Sequence, residues 1–362
     1  MSGRSSSQFS RRSWLASAAS AAFGQQLGKT VRLPRKVRLA LIGLEGHTGE
    51  ILEPLPRLPE VELVAVCDPD GARLERAFAG WQPAPRRYTE LERMLETESL
   101  DVAAVCGPNG GRAGRILACL KRKLHVIAEK PIALSRADLA EIRAAVATEK
   151  LRLSMLLPMR FASPFLALRR IVETGQIGEV IQIASQKSYK AGERPEWMRR
   201  RATFGGTIPW IGIHMIDLMR FTSGREFREV FSLKARIGFP QLGEMENVTG
   251  SLFALDNGGI AMLRMDYLRP ETAPTHGDDR LRLAGLEGIA EYQPATGVTL
   301  MTGKRGPHVV TDLPEAGSVF IDFLESVYLG KPAALSIDDV FRVSEITLAA
   351  EEAAVERRIV KI

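Results

Sequence analysis

The stretch DVAAVCGPNGGRAGRILACLKRKLHVIAEKP, residues 101–131, contains the pattern that decides the fold. An apolar run at 101–108 is followed by a helical segment at 111–123 and a second apolar run that ends in Glu129, Lys130 and Pro131. Runs that are apolar on both faces are typical of parallel strands buried between helices. The stretch therefore predicts a strand–helix–strand unit with two charged residues at the carboxyl end of a strand, where open α/β sheets bind ligands.

The same alternation of strand and helix extends on both sides of this stretch. Apolar runs lie at 37–43 and 61–68, and helical segments lie at 71–80, 89–96 and 135–150, the last with Ser135 as its predicted N-cap. This order is typical of a doubly wound parallel sheet. We therefore predict an α/β Rossmann domain over residues 35–157.

The first strand leads into a glycine-rich loop, GLEGHTGE, at residues 43–50. Glycines permit a tight turn, and backbone N–H groups at the start of the next helix can bind a pyrophosphate. Glu45 stands where the usual G-x-G-x-x-G pattern has its second glycine, and its carboxylate repels phosphates unless it points away. The residues predicted to contact a dinucleotide here are Gly43, Gly46, His47, Thr48 and Gly49.

Asp68 ends the second strand, at the place where an acid can accept a hydrogen bond from an adenosine ribose. The next residues, 69–71, contain no arginine to receive a 2′-phosphate, so NAD is favoured over NADP as the cofactor. The alternative interpretation is a turn residue before Pro69.

The net charge of +6 is concentrated in the first 36 residues, which carry seven basic residues and no acid. The remainder has 42 basic and 43 acidic residues, so the sequence does not favour nucleic-acid binding. Ser10-Arg11-Arg12-Ser13 and the alanine-rich segment after it resemble a twin-arginine signal. We therefore expect a leader over residues 1–34, the twin-arginine export machinery as a partner, and a periplasmic or membrane-tethered protein. The alternative is an attached basic tail on a cytoplasmic protein.

The cysteines Cys67, Cys106 and Cys119 are odd in number and widely spaced, which argues against a disulfide framework. No Cys/His group has the spacing of a zinc site, so no metal is predicted. No apolar run is as long as the roughly 18 residues that a membrane span requires.

Residues 101–131 also resemble the glucose–fructose oxidoreductase, inositol dehydrogenase and MocA (Gfo/Idh/MocA) family. The shared pattern includes Asp101, Val102, Val105, Pro108, Asn109, Lys123, His125, Val126, Glu129, Lys130 and Pro131. The resemblance implies that Lys130 is the active-site lysine, that Pro108 and Asn109 line the nicotinamide side, and that Glu129 contacts the cofactor's ribose region. One departure is Arg112, where the family pattern has histidine.

From about residue 158 the pattern changes to strands that alternate with turns. Strand-like segments lie at 180–190, 229–239, 247–256, 259–268 and 279–293, and helical segments lie at 318–330 and 336–356. We predict an α+β domain over 158–362, with a mainly antiparallel sheet and helices on one face. The resemblance implies that this sheet builds homo-oligomers and allows the C-terminal helix to pack back on the first domain.

The segment GGTIPWIGIHMIDLM, residues 205–219, is predicted to form a helix capped by Thr207, with Trp210, His214 and Asp217 on roughly one face. The resemblance implies that His214 faces the nicotinamide; the family's aspartate, four residues before that histidine, is Trp210 here. The alternatives are a core histidine and, for Asp217, an ordinary acid on a helix face.

Oxidation of a sugar alcohol requires a base for the hydroxyl proton, a role that suits a histidine. We expect His214 to act as acid and base and Lys130 to polarise the same oxygen. Arg160, Trp210 and Asp217 are the candidate substrate residues. Weaker candidates are Tyr189, Lys190, Arg194, Trp197 and His276.

The sequence thus predicts an NAD(P)-dependent oxidoreductase that acts on the CH–OH group of a sugar, polyol or related carbohydrate. Two alternatives stay open: an NAD-dependent glycoside hydrolase of the same family, and a cofactor-binding member with little turnover.

Overall fold

The computed structural model describes residues 30–362. The predicted twin-arginine motif lies in residues 1–29, outside the described part. Residues 31–33, which the predicted leader includes, already pack on the first domain: Leu33 is buried, and its backbone N–H donates to Glu60. No helix within residues 30–362 is both long and apolar enough to cross a membrane.

The first sheet, within the described residues, has six strands in the order β3-β2-β1-β4-β5-β6, all parallel. The central strands are buried on both faces, as their unbroken apolar sequences predict. The strands are β1 (Val37–Ile42), β2 (Val61–Cys67), β3 (Arg86–Tyr88), β4 (Val102–Val105), β5 (His125–Ala128) and β6 (Leu153–Met155).

Helices connect these strands and cover both faces of the sheet. Ser135 caps the last of them, as predicted, by accepting a hydrogen bond from the N–H of Asp138 at 3.0 Å. The helices are α1 (Gly49–Leu52), α2 (Gly71–Ala77), α3 (Leu91–Thr97), α4 (Arg112–Lys121) and α5 (Arg136–Glu149), with a short 3₁₀ turn at Leu55–Arg57.

The second sheet, counted over the same described range, has nine strands in the order β14-β13-β12-β11-β7-β10-β9-β8-β15. It is antiparallel except where β7 pairs with β10 in parallel, so the prediction of a mainly antiparallel sheet is confirmed. The strands are β7 (Val180–Lys190), β8 (Phe227–Ala235), β9 (Val248–Leu255), β10 (Ile260–Arg269), β11 (Gly277–Gly285), β12 (Gly288–Gln293), β13 (Gly297–Thr302), β14 (Arg305–Val309) and β15 (Val360–Lys361).

Helices cover one face of this sheet, and two of them also contact the first domain. The long C-terminal helix packs against both α5 and β8. It is tied to α5 by the ion pair of Arg136 with Glu352 at 3.0 Å. The helices are α6 (Ser163–Glu173), α7 (Arg201–Phe204), α8 (Ile213–Ser223), α9 (Val319–Tyr328) and α10 (Ile337–Glu356), with 3₁₀ turns at Pro158–Phe161, Glu196–Arg199 and Pro240–Leu242 and a π-helix at Ile208–Gly212.

The predicted fold class, a Rossmann domain followed by an α+β domain, is therefore confirmed. Lys130 follows β5 at the carboxyl edge of the first sheet, and α8 brings the second domain against that edge. The cleft between the two domains is where the predicted site residues meet.

Candidate active site

The glycine-rich loop after β1 has the tight geometry that its sequence predicts. Gly43 has φ +79°, and a Cβ there would lie 2.7 Å from the backbone of Cys106, so a larger residue would not fit. Gly46 has φ +88°, and its Cβ would lie 2.6 Å from Oε2 of Glu129. The loop therefore lies directly on the Glu129 side chain.

Glu129 binds this loop through hydrogen bonds. Its carboxylate accepts hydrogen bonds from the backbone N–H of His47 at 2.6 Å, from Nδ1 of the same histidine at 2.9 Å and from the N–H of Lys130 at 3.1 Å. Burial alone would raise the pKa of Glu129, but His47 and Lys130 lower it to about 2. This fully buried carboxylate is bound to the protein's own loop, and its contact with the cofactor's ribose region stays a prediction.

Lys130 is covered by Trp210. Its Nζ donates to the carbonyl of Trp210 at 2.8 Å and lies 3.3 Å from the centre of the indole ring, in a cation–π contact between the two domains. Burial lowers the pKa of Lys130 to about 7, and Glu129, 3.6 Å away, offsets part of that effect. Near neutral pH the lysine can therefore both give and take a proton.

His214, on α8, lies near Lys130. Its ring is buried and packs edge-on against the ring of His47, with 5.4 Å between centroids. Nδ1 of His214 is buried and has no hydrogen-bond partner among the described residues. Burial, with Lys130 and Lys187 nearby, lowers the pKa of His214 well below 6.5, so the imidazole is neutral at pH 7.

The segment that carries Trp210 differs from the predicted α-helix. Residues Ile208–Gly212 form a π-helix, which continues into α8. Thr207 does not cap it; instead its hydroxyl donates to the carbonyl of Glu246 at 2.8 Å. A π turn is wider than an α turn, and such turns are frequent at functional sites.

Arg160 and Asp217, two predicted substrate residues, form a buried ion pair with each other. Nε of the arginine lies 3.2 Å from Asp217, Nη2 donates to the same carboxylate, and Nη1 lies 2.9 Å from Asp339. All polar atoms of both side chains are bound within the protein. Their assignment to the substrate is therefore corrected, and Asp217 does not orient His214.

Asp68 lies at the end of β2, and its carboxylate is fixed by two backbone N–H groups. It accepts from Leu44 at 3.0 Å and from Asp70 at 2.9 Å. Residues 69–71 contain no arginine, but Arg73 reaches the site from α2, with Nη1 3.6 Å from Asp68. The same nitrogen lies 2.8 Å from Glu45, so Glu45 is held by an arginine.

Pro108 and Asn109 lie in the loop after β4, at the junction of the domains. Nδ2 of Asn109 donates to the carbonyl of Phe204 at 2.7 Å, while its Oδ1 is buried with no hydrogen-bond partner among the described residues. Arg112, the departure from the family pattern, is fully buried and donates to the carbonyls of Gly107 and, at 2.7 Å, Pro131. It therefore braces the backbone around Lys130.

A second buried lysine, Lys187, was missed by the sequence analysis. It lies on the inner face of β7, and its Nζ is 2.7 Å from Asp279 on the neighbouring strand β11. Burial alone would lower the pKa of Lys187, but Asp279 raises it to about 12. The signal was present in the alternation of β7, because Lys187 shares its face with the buried Ile183 and Ser185.

The weaker candidates divide into two groups. Trp197 packs edge-on against Trp210, with 5.4 Å between ring centroids, and Tyr189 lies beside Lys187. Lys190, Arg194 and His276 belong to the end of β7 and its neighbouring loop, where Lys190 and Arg194 bind backbone carbonyls. Among the described residues no group of three or more His, Cys, Asp or Glu side chains is arranged to hold a metal ion.

The three cysteines are buried and unpaired. Burial raises the pKa of the Cys67 thiol to about 11 and that of Cys119 to about 12, which makes both poor nucleophiles near neutral pH.

The site fits a nicotinamide dinucleotide. Gly43 and Gly46 adopt the positive φ that a tight phosphate-binding turn requires, and the N–H groups of Thr48 and Gly49 make no hydrogen bond to another described residue. Glu45 would oppose a pyrophosphate, but Arg73 binds its carboxylate. This ion pair therefore offsets the repulsion between Glu45 and a pyrophosphate, which was the main argument from the sequence against a dinucleotide.

Comparison with known proteins identifies the family. Residues 37–157 match the model of the Gfo/Idh/MocA oxidoreductase family, NAD-binding Rossmann fold, and residues 165–291 match a C-terminal domain of the same family. The structure of an oxidoreductase from Thermotoga maritima is 33% identical, with a TM-score of 0.85, and the match covers 90% of this chain and 100% of that one. The chain belongs to the Gfo/Idh/MocA oxidoreductase family.

One further relative and one structural neighbour also resemble this chain. Myo-inositol 2-dehydrogenase of Thermotoga maritima is 27% identical over 338 residues, which are 90% of this chain and 98% of that protein. An oxidoreductase from Agrobacterium radiobacter, solved with NAD⁺, L-tartaric acid and magnesium, is 18% identical with a TM-score of 0.79, and the match covers 90% of this chain and 98% of that one. The second likeness concerns the fold alone.

Proposed function

We propose that this protein is an NAD-dependent dehydrogenase that oxidises a CH–OH group of a sugar, polyol or related carbohydrate. The observation that carries the proposal is the meeting of Lys130 and His214, from two domains, at the carboxyl edge of a NAD-binding sheet. The myo-inositol 2-dehydrogenase relative supports a polyhydroxylated substrate.

The cofactor would be held by the glycine-rich loop, the N–H groups of Thr48 and Gly49, and Asp68. When bound, NAD supplies the acceptor for a hydride from the substrate carbon. The chain's own groups must then manage the hydroxyl proton. Lys130, with a pKa of about 7, can take that proton in its amine form and return it in the reverse reaction.

His214 has a different part in this proposal from the one first expected. Because its pKa lies well below 6.5, the imidazole is neutral and orients the hydroxyl through a hydrogen bond. The lysine moves the proton and the histidine fixes the oxygen. For the substrate to reach Nζ of Lys130, the indole of Trp210 must move away from the lysine or the substrate must bind beside it.

The test is NADH formation with a panel of polyols and aldoses, myo-inositol included, together with NAD⁺ binding by calorimetry. Lys130→Ala should abolish NADH formation while NAD⁺ affinity stays within about threefold. Lys331→Ala, which removes an exposed lysine whose Nζ lies 2.7 Å from Glu325 of α9, is the matched control. Undiminished turnover by Lys130→Ala would contradict the proposed role.

The Trp210 contact favours a second candidate, a dinucleotide-binding member with little turnover. Its indole and carbonyl both occupy the lysine that the reaction needs. Tight NAD⁺ binding with no NADH formation across the panel would favour this candidate. Cleavage of a glycoside without net NADH would instead favour the hydrolase alternative.

We also propose that residues 1–34 direct export of the folded protein through the twin-arginine machinery. The support is the Arg11-Arg12 pair in a leader without acidic residues. Cell fractionation of the native chain should find it outside the cytoplasm. The paired substitution Arg11→Lys and Arg12→Lys should retain it inside; equal distribution of the two forms would argue against export by this route.

The open face of the second sheet supports the proposed homo-oligomer. Leu233, Leu252 and Met262, on β8, β9 and β10, are 51%, 47% and 40% exposed. Exposed apolar neighbours of this kind mark interaction surfaces. Light scattering should give a multiple of 39.8 kDa for the whole chain, and Leu252→Glu should lower it; a monomer in the unaltered protein would contradict this assignment.

A further inference from the structure

Four charged side chains surround the position where a Rossmann fold binds the adenosine ribose. Arg73 of α2 is the only guanidinium that the described residues bring into contact with Asp68. It is surrounded by carboxylates, since Glu45 lies 2.8 Å, Asp68 3.6 Å and Asp70 3.7 Å from its nitrogens. Arg73 is therefore shared among three carboxylates.

This arrangement concerns the 2′ position of the ribose. An acid at the end of β2 accepts a hydrogen bond from a 2′-hydroxyl, whereas a nearby arginine accommodates a 2′-phosphate. Here both groups are present, but the arginine is bound to Glu45. A 2′-phosphate would have to compete with Glu45 for Nη1 and would add its own negative charge to the cluster.

Glu45 is also the residue that departs from the glycine fingerprint. Its Oε1 binds Arg73, while its Oε2 is buried and has no hydrogen-bond partner among the described residues. Burying an unpaired carboxylate oxygen is unfavourable. The ion pair with Arg73 is the contact that holds this carboxylate in place.

We infer that the Glu45–Arg73 ion pair determines cofactor choice: it excludes the 2′-phosphate of NADP by occupying Arg73, the arginine in contact with Asp68. NAD, which has a hydroxyl at that position, requires only the fixed carboxylate of Asp68. Glu45 is then a specificity-determining residue, and its removal frees Arg73 for a phosphate. The inference rests on dinucleotide binding by the first domain but not on the substrate or on turnover.

The test is calorimetric titration of the full-length protein and its variants with NAD⁺ and with NADP⁺, at fixed ionic strength. The unaltered protein should bind NAD⁺ more tightly by at least about tenfold, since the dianion meets excess carboxylate. Glu45→Gln, which removes the charge and keeps the size, should shift the ratio of the two affinities toward NADP⁺ by about tenfold or more.

Two further variants assign that shift to the ion pair. In Arg73→Ala combined with Glu45→Gln, the gain in NADP⁺ affinity should disappear, because the guanidinium freed by the loss of Glu45 is itself absent. Arg76→Ala is the matched control. Arg76 lies about one helical turn after Arg73, 4.0 Å from Asp70, and does not contact Glu45. This control variant should leave the ratio within about twofold.

The outcomes separate this inference from the proposed reaction. An unchanged ratio in Glu45→Gln, or a gain that persists without Arg73, overturns the inference and leaves the dehydrogenase proposal standing. Failure of the unaltered protein to bind either dinucleotide overturns both. A shift that depends on Arg73 supports the inference even if no substrate in the panel is oxidised.

Discussion

Replacement of Lys130 by methionine should change how the stability of the protein depends on pH. Burial lowers the pKa of Lys130 from 10.5 to about 7 in the folded state. The unfolded chain therefore binds one more proton than the folded chain between these values. The lowered pKa destabilises the folded state fully below pH 7. This destabilisation declines between pH 7 and pH 10.5, at ~1.4 kcal/mol per pH unit in the middle of that range, and is absent at higher pH.

The protein should therefore gain about 2 kcal/mol of unfolding free energy between pH 7 and pH 9, relative to Lys130→Met over the same interval. Urea denaturation followed by circular dichroism at pH 7, 8 and 9 measures this difference. Parallel stability curves for the two proteins would refute the argument, because they would mean that the lysine titrates alike in both states.

Lys187→Met is a control with the opposite shift. The folded-state pKa of Lys187 is raised to about 12, so its contribution is complete below 10.5 and is lost only as pH rises through 12. Between pH 7 and pH 9 this variant should change the level of the curve and not its slope. The comparison isolates the protonation of one buried lysine from the general effect of removing another.

Three further predictions test separate parts of the site. Gly46→Ala should destabilise the protein by roughly 1–3 kcal/mol and weaken NAD⁺ binding, because a Cβ would lie 2.6 Å from Glu129. The control is Gly80→Ala, which has a similar φ of +76° and no atom within 4 Å, so it measures only the cost of the backbone conformation. Equal losses of unfolding free energy in the two variants would contradict the clash. Arg160→Met should cost about 3–5 kcal/mol in chemical denaturation by leaving Asp217 buried and unpaired; the double variant with Asp217→Leu should recover part of this, and no recovery would count against the pair. Trp210→Ala should move the lysine inflection of the pH–rate profile upward by about one unit, since it exposes the ammonium to water, whereas Trp210→Phe should leave it close to its original position; an unmoved inflection in the alanine variant would be the contrary result.

The fold followed closely from local sequence patterns. The buried strands β1, β2, β4 and β5 and the hairpin around Gly258 have the apolar runs and turn residues that predict them. The short strands β13 and β14 were not predicted. β14 consists mostly of exposed residues and has little apolar signal, and β13 is short; their positions are set by the pairing of β13 with β12 and of β14 with β13.

The site was harder to predict because its decisive contacts join residues far apart in the chain. Asp217 was predicted to face the substrate, but it pairs with Arg160, 57 residues away in the chain. Arg73 lies beyond the short segment after Asp68 in which an arginine was sought, and only the turn into α2 brings it back. The π-helix before α8 also lacks a signal, since its apolar residues fit an ordinary helix equally well.

The contact of Lys130 with Trp210 also links a proton to the relative motion of the two domains. One partner is at the end of a Rossmann strand and the other is in the second domain, so any opening of the cleft must separate them. The indole of Trp210 attracts Lys130 because the ammonium group is positively charged. The lysine loses that charge as the pH rises above its pKa of about 7. Deprotonation should thus weaken this contact between the domains. After oxidation has placed the hydroxyl proton on the lysine, release of that proton to solvent would make the two domains easier to separate.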